Sequence, residues 1–325
     1  MSPHALLDRI MDGGMASARY ASGPAHCNLS AKKNFDEKAM VSGMSKLILP
    51  LICLLSLLAQ AGEQERENRK IHVVVGHGGL VLLASTPEGF ALAADGSSFN
   101  ADGTVSLADK LLAVGKHGAL LLGGTVAIQD PVGRAVRQEV NVSRIAAAWL
   151  RAHPDVELDA ASRELNALVA DTLEKFYATR DPGADADKYK FAMIFAGFND
   201  SQPSILRTRY FIPKVKGGKP RTEVIATPVK SGELLAFGPV RVKNELLGGK
   251  SGALKTFKAE APVTKFRASG PGTSTLQDFV GLFDVILRAA ESEEGKKLET
   301  TGAVVAPINA FATVTAAEGF TAKKP

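Results

Sequence analysis

Glu88-Gly89-Phe90-Ala91-Leu92-Ala93-Ala94-Asp95 joins a turn glycine to an apolar run that ends in an acid. Phe90 to Ala94 is a run of small and apolar residues, the pattern of a buried strand. It ends in a carboxylate. Taking a carboxylate out of water costs several kcal/mol, roughly, unless a cation or hydrogen bonds meet it, so Asp95 calls for a partner. Upstream, Thr86-Pro87-Glu88-Gly89 has turn chemistry, and His72 to Ser85 is a β-rich apolar run broken by glycines.

Working outward, Asn100 to Gly103 reads as a turn. Lys110 to Val114, Gly115 to Gly118 and Ala119 to Gly123 read as a hairpin. Helical spacing then takes over: Ile145 to Arg151 is one short helix. Leu158, Ala161, Leu165, Leu168, Val169, Leu173 and Phe176 line one face of a longer one. Lys190 to Phe198 and Ser204 to Ile212 return as strands joined by a turn at Asn199 to Pro203. A third helix opens at Ser274, where Ser274-Thr275-Leu276-Gln277 fits a capping box, and runs to about Ser292. Ala310 to Thr315 reads as the last strand. Segregated runs of strands and helices predict layered α and β, an α+β fold, and not alternating βαβ units.

The 325 residues are 45% hydrophobic and 22% charged, enough for a sizeable core. A formal charge of +5 is too mild to imply nucleic acid. Met44-Ser45-Lys46 followed by an apolar run from Leu47 to Ala59 and by Ala59-Gln60-Ala61 has the three parts of a secretory signal. The apolar run is shorter than the ~20 residues of a spanning helix, so no membrane span is expected after cleavage. Residues 1–43 read as a leader without periodicity, with translation starting at Met44 or Met40, residues 44–61 as the signal, and 62–325 as a single exported domain. Cleavage after Ala61 exposes Gly62 and leaves 33 basic against 30 acidic residues. Both cysteines, Cys27 and Cys53, precede that point, so neither a disulfide framework nor thiol chemistry is expected. His72, His77, His117 and His153 have no ligand spacing, and no metal or cofactor site is expected.

With these segments in place, the chain resembles the proteasome-type branch of the N-terminal-nucleophile (Ntn) hydrolases. Glu88 to Asp95 is similar to that family's DG-x-x-LAAD signature. The family's lysine matches Lys110, within Ala108-Asp109-Lys110-Leu111-Leu112 and fifteen residues after Asp95; Gly123-Gly124, with Gly124 fourteen residues further on, matches its small-Gly pair. FAMIFAGFNDSQPSILRTRYFIP looks like the family's mid-chain hairpin, and VVAPINAFATVTAAEGF like its final segment. The likeness covers roughly residues 71 to 320, in order. It implies a four-layer αββα sandwich of two antiparallel sheets. It also implies a site in which Asp95 pairs with Lys110, the lysine tunes an N-terminal amine that acts as general base, and Gly124 offers an oxyanion N–H.

The family's nucleophile has no counterpart. The matching position, sixteen residues before Asp95, is Gly79, and no Ser, Thr or Cys occurs from Leu57 to Ala84. Ser85 and Thr86 are the nearest hydroxyls, and His77 is a conceivable alternative nucleophile. Three readings follow. The first is an exported, non-catalytic member with an assembly or binding role, its partners being itself in a small oligomer or a peptide. The second is an amide hydrolase with an unusual nucleophile. The third is a polyanion- or surface-binding module, on the strength of Arg207, Arg209, Lys214, Lys216, Lys219 and Arg221. Few aromatics interleave with those charges, so no nucleic-acid partner is expected. Gly248 to Thr273, rich in Gly, Lys, Ala and Pro, reads as irregular where the resemblance implies a full helix, which argues against stacked rings.

Overall fold

In the computed structural model, residues 74–75, 79–99, 105–107, 109–132, 135–180, 182, 186–238, 240–299 and 309–325 are described. The expected leader, the signal, His77 and the Asn100–Gly103 turn lie outside them. Chain order is β1 (Val74–Val75), β2 (Val81–Thr86), β3 (Gly89–Asp95), β4 (Ser97–Phe99), β5 (Val105–Leu107), β6 (Leu111–Val114), β7 (Gly118–Gly124), β8 (Ala127–Val132), β9 (Ala135–Asn141), α1 (Val142–Ala152), α2 (Leu158–Tyr177), β10 (Tyr189–Asn199), β11 (Gln202–Phe211), β12 (Arg221–Ala226) and β13 (Leu234–Phe237). There follow α3 (Val240–Gly248), α4 (Lys255–Lys258), α5 (Ala261–Ser269), α6 (Leu276–Glu291), α7 (Glu293–Leu298), β14 (Asn309–Thr315) and β15 (Gly319–Lys323). The protein is mixed α+β. Two five-stranded antiparallel sheets dominate, ordered β13-β2-β3-β14-β15 and β12-β11-β10-β7-β6.

Alternation explains how the first sheet uses two apolar faces. Val81 and Leu83 lie with their register partners Ala94 and Leu92 in one buried cluster. Leu82 and Ala84 lie with Ala93 and Ala91 in another. A strand with core on both sides must read as a continuous apolar run, as β2 and β3 do. Val81, Leu83, Phe90, Leu92 and Ala94 pack against Ala119, Leu121, Ala192 and Ile194 of the second sheet. The opposite face packs against α6, through Phe279, Val280, Phe283 and Ile286. On the second sheet α2 covers β10, and Tyr210 of β11 donates its hydroxyl to Asn166 Oδ1 on α2 at 2.5 Å while stacking on Phe191. The expected stripe of α2 is buried except Leu168, which is half-buried at its margin.

Two turns carry the register. Thr86 pairs with Gly89 across the two-residue link Pro87-Glu88. Gly89 has φ +149°, and a Cβ there would overlap the Val314 carbonyl of β14, so the glycine of the signature stretch admits a neighbouring backbone. Asp200 and Ser201, both with positive φ (46° and 65°), close the β10–β11 hairpin with Asn199 facing Gln202, the backbone of a primed two-residue turn.

Several elements differ from the sequence expectation. Helix α6 is capped by Thr275, not Ser274: Thr275 Oγ1 accepts from Asp278 N at 3.2 Å, and Asp278 Oδ2 accepts from Thr275 N at 3.1 Å. Pro271–Thr273 forms a 3₁₀ turn that shifts the helix start one residue along. The Gly248–Thr273 segment is not irregular. It contains α4 and α5, with Leu254 and Val263 fully buried in the core around α6, so irregularity there no longer counts against stacking through helices. Strands β4, β5, β8, β9, β12, β13 and β15 and helices α3 and α7 are additional. Among the described residues no helix is long and apolar enough to cross a membrane.

The cap assignment has a direct test. Thr275→Ala should lower stability by about 0.5–2 kcal/mol. Ser274→Ala, which removes only a 3.3 Å bond to the Gly270 carbonyl, should cost visibly less. Urea unfolding midpoints of the two variants compare them directly.

Candidate functional site

Asp95 is the last residue of β3 and has no exposed surface. Its N–H donates to the Leu80 carbonyl at 3.0 Å, which carries the β2–β3 ladder to its end. Lys110 immediately precedes β6. Its carbonyl accepts from Leu122 N at 2.9 Å, and the preceding carbonyl, of Asp109, accepts from the Ser143 hydroxyl in the first turn of α1 at 2.8 Å. Backbone and helix thus place the lysine before its side chain is considered. Lys110 Nζ donates to Asp95 Oδ1 at 2.7 Å, with both side chains fully buried. Desolvation holds the Lys110 pKa below its ordinary value, and the Asp95 carboxylate pushes it back up.

Glycines surround this pair. Gly79 bridges Gly124 in antiparallel fashion, joining the approach to β2 to the end of β7. Gly124 has φ +93°, and a Cβ there would lie 2.5 Å from the Lys190 carbonyl of β10. Gly238, φ +109°, sits where a Cβ would overlap the carbonyl of Gly79. A Cβ built on Gly79 would overlap both carboxylate oxygens of Asp95. The volume that a side chain at position 79 would need is therefore filled by Asp95. Gly79, Asp95, Lys110 and Gly124 all meet at one end of the two sheets.

The alternative hydroxyls lie elsewhere. Ser85 and Thr86 stand at the hairpin end of β2, five and six residues beyond Leu80, which at ~3.3 Å per residue puts them roughly 17–20 Å from the Asp95 end. Ser85 is buried and donates its hydroxyl to the Lys230 carbonyl. Neither can share a proton with the Asp95–Lys110 pair.

Three contributors had little signal in sequence. Gly238 stands before Pro239, a turn-forming dipeptide that marks a break but not a packing partner. Asn309 faces Asp95 across the β3–β14 register and donates to Glu291 Oε1 at 2.8 Å. Glu291, in the last turn of α6, has its carboxyl raised by burial first, against the Asn309 hydrogen bond that lowers it, with the negative charges of Asp95 and Asp284 raising it further. Among the described residues, no group of histidines, cysteines and carboxylates could hold a metal ion. Compared with models of known protein families and with curated proteins, the chain matches none.

Removing one member of the buried pair takes away the other's ion-pair partner. Asp95→Asn and Lys110→Met should each cost about 3–5 kcal/mol, and the double variant clearly less than their sum. A double-mutant cycle by urea unfolding measures this. Glu291 gives the pH signature. Its folded pKa is raised, so the folded state holds that proton more tightly and is favoured below the unfolded carboxylate value; this contribution is lost as pH rises through the raised folded pKa. Glu291→Gln should therefore be at least as stable as the wild type at pH 7, with the advantage shrinking towards pH 4.5, as followed by thermal melts across that range.

Proposed function

We propose that this chain is an exported, non-catalytic protein of the proteasome-type Ntn-hydrolase fold, acting in assembly or binding. The observation that carries the reading is at Gly79, where Asp95 occupies the space of the missing nucleophile. An Ntn hydrolase needs a hydroxyl or thiol whose own amine is the base. Here the matching residue has no side chain, and the polar pair that would serve it is turned into its place. The fold reading is supported by the layers, α1 and α2 outside the second sheet and α6 outside the first, which follow the αββα order that the resemblance implies. It is further supported by the convergence of Gly79, Asp95, Lys110 and Gly124, residues separated by up to 45 positions in sequence.

The pair then acts as a buried strut. Its lysine and carboxylate satisfy each other and tie the end of β3 to the start of β6. The amide-hydrolase reading loses Ser85 and Thr86 to their position at the far end of β2. A general polyanion surface is weakened because many of the basic side chains have acidic neighbours: Lys214 faces Asp187, Lys219 faces Glu174, and Arg221 faces both Asp187 and Glu223.

The full exported protein should show no turnover of fluorogenic peptide amides and no labelling by hydroxyl-directed β-lactones. Gly79→Thr should not create either activity, and should lower stability by at least about 1–3 kcal/mol because the new side chain must displace Asp95. Turnover that disappears in Lys110→Met, at a temperature where that variant remains folded, would overturn the non-catalytic reading.

A further inference from the structure

Among the basic residues of the Arg207–Arg221 region, Arg207 is different. Like the exposed Lys216, its side chain has no carboxylate within ion-pair distance among the described residues, but the Nε of Arg207 is also buried without a hydrogen-bond partner. Strand alternation fixes where it points. Arg207 pairs with Ile194, and Ile194 with Leu121; Arg209 pairs with Ala192, and Ala192 with Gly123. Leu121, Ala192 and Ile194 belong to the core between the two sheets, so both arginines are on the inter-sheet face of β11. Arg207 spans towards the first sheet, with its guanidinium 5.3 Å from the centroid of the Phe237 ring on β13. Arg209 is two residues along the same face, 41% exposed, and only 3.9 Å from Glu223, a loose ion pair.

The two guanidiniums raise each other's energy. Burial lowers the Arg207 pKa first, and the charge of Arg209 lowers it further. Arginine nevertheless stays protonated, so the charge cannot be shed and must be met. The charges of Arg209 and Arg207 also reach the Tyr189 hydroxyl, pulling its pKa down against the desolvation that raises it. Tyr189 pairs with Phe211, which follows Arg207 and Arg209 along the same face of β11, so two forked donors and a phenol lie along one row, with Glu223 beside Arg209. Gly123 lies in the same row as Arg209, two strand spacings away, about 10 Å. The arginines are therefore at the same end of the second sheet as Gly124.

We propose that Arg207 and Arg209, with Tyr189, form a binding site for an oxyanion, the carboxylate or phosphate group of a ligand that enters between the two sheets beside Gly123-Gly124. The fork geometry of guanidinium suits either anion through paired N–H donors. A ligand bound there supplies the negative charge that the fold omits next to Arg207. The site does not depend on position 79 being inert, so it stands apart from the non-catalytic reading.

The test titrates the full exported protein with inorganic phosphate and, separately, with succinate, at constant ionic strength set by chloride. Binding is followed by calorimetry and thermal shift. At least one of the two should bind saturably, and which one does assigns phosphate or carboxylate as the natural group. Arg207→Gln should weaken that binding at least tenfold, and Arg209→Gln should weaken it too. Lys214→Gln, on an exposed loop, should leave it unchanged. Without anion, Arg207→Gln should melt no lower than the wild type, because it removes an uncompensated charge; a lower melting point would contradict the site's electrostatics. Arg207→Lys keeps the charge and loses the fork, and should also bind more weakly. No saturable binding of either anion, or undiminished binding in Arg207→Gln, would overturn the proposal.

Discussion

The buried pair between Asp95 and Lys110 is the constraint around which the rest of the molecule is arranged. A carboxylate and an ammonium, both fully out of water and 2.7 Å apart, tolerate little displacement, because each is the other's compensation. Asp95 closes β3 of the first sheet, and Lys110 opens β6 of the second. Their contact therefore fixes how the ends of the two sheets meet. Around it the structure spends its glycines. Gly79, Gly124 and Gly238 each stand where a side chain would collide with backbone or with Asp95. Such close packing of main chain around an ion pair excludes water and keeps the local dielectric low, which strengthens the pair and makes loss of either partner severe.

The same geometry separates having the parts of a catalytic site from having the site. On the proposed reading the lysine, the aspartate and the glycine N–H would serve a hydroxyl or thiol with its own amine as base, and Gly79 supplies neither. Here the centre holds the carboxylate itself. What remains is a rigid, fully satisfied polar core, well suited to holding two sheets in register. The nearest hydroxyls cannot take over, because a strand is stiff and five residues along β2 place them beyond any hydrogen bond to this centre.

The uncompensated charge lies a short distance away, on β11. Most basic side chains of the Arg207–Arg221 segment are matched by carboxylates brought from α2, β12 and the approach to β10. Arg207 is turned inward, against Phe237, and has no such match. A partly buried guanidinium without a carboxylate is costly for the folded protein alone, and a bound anion would offset that cost. The buried pair and the open arginines thus divide one end of the molecule into a closed, neutralised part and an open, cationic one.

The apolar runs of β2, β3, β7 and β10 were legible as strands from residue types alone, while the core on both sides of β2 and β3 came from the fold. The sequence also determined the main stripe of α2, and it singled out Asp95, because a carboxylate at the end of an apolar strand demands a cation. It did not reach β12, whose charged Arg-Thr-Glu-Val-Ile-Ala run is that of an edge strand, or β13, four residues long. It missed α4 and α5, where short lysine-rich helices gain stability from two buried anchors, Leu254 and Val263, and not from a long apolar stripe. Tertiary contacts alone set Thr275 as the cap of α6, Asp95 in the space at Gly79, and Arg207 facing inward while Lys214, Lys219 and Arg221 meet carboxylates. The physical reason is common to all three: each depends on which chain segments, distant in sequence, come within a few ångströms of one another, and residue types along a strand or helix do not carry that distance.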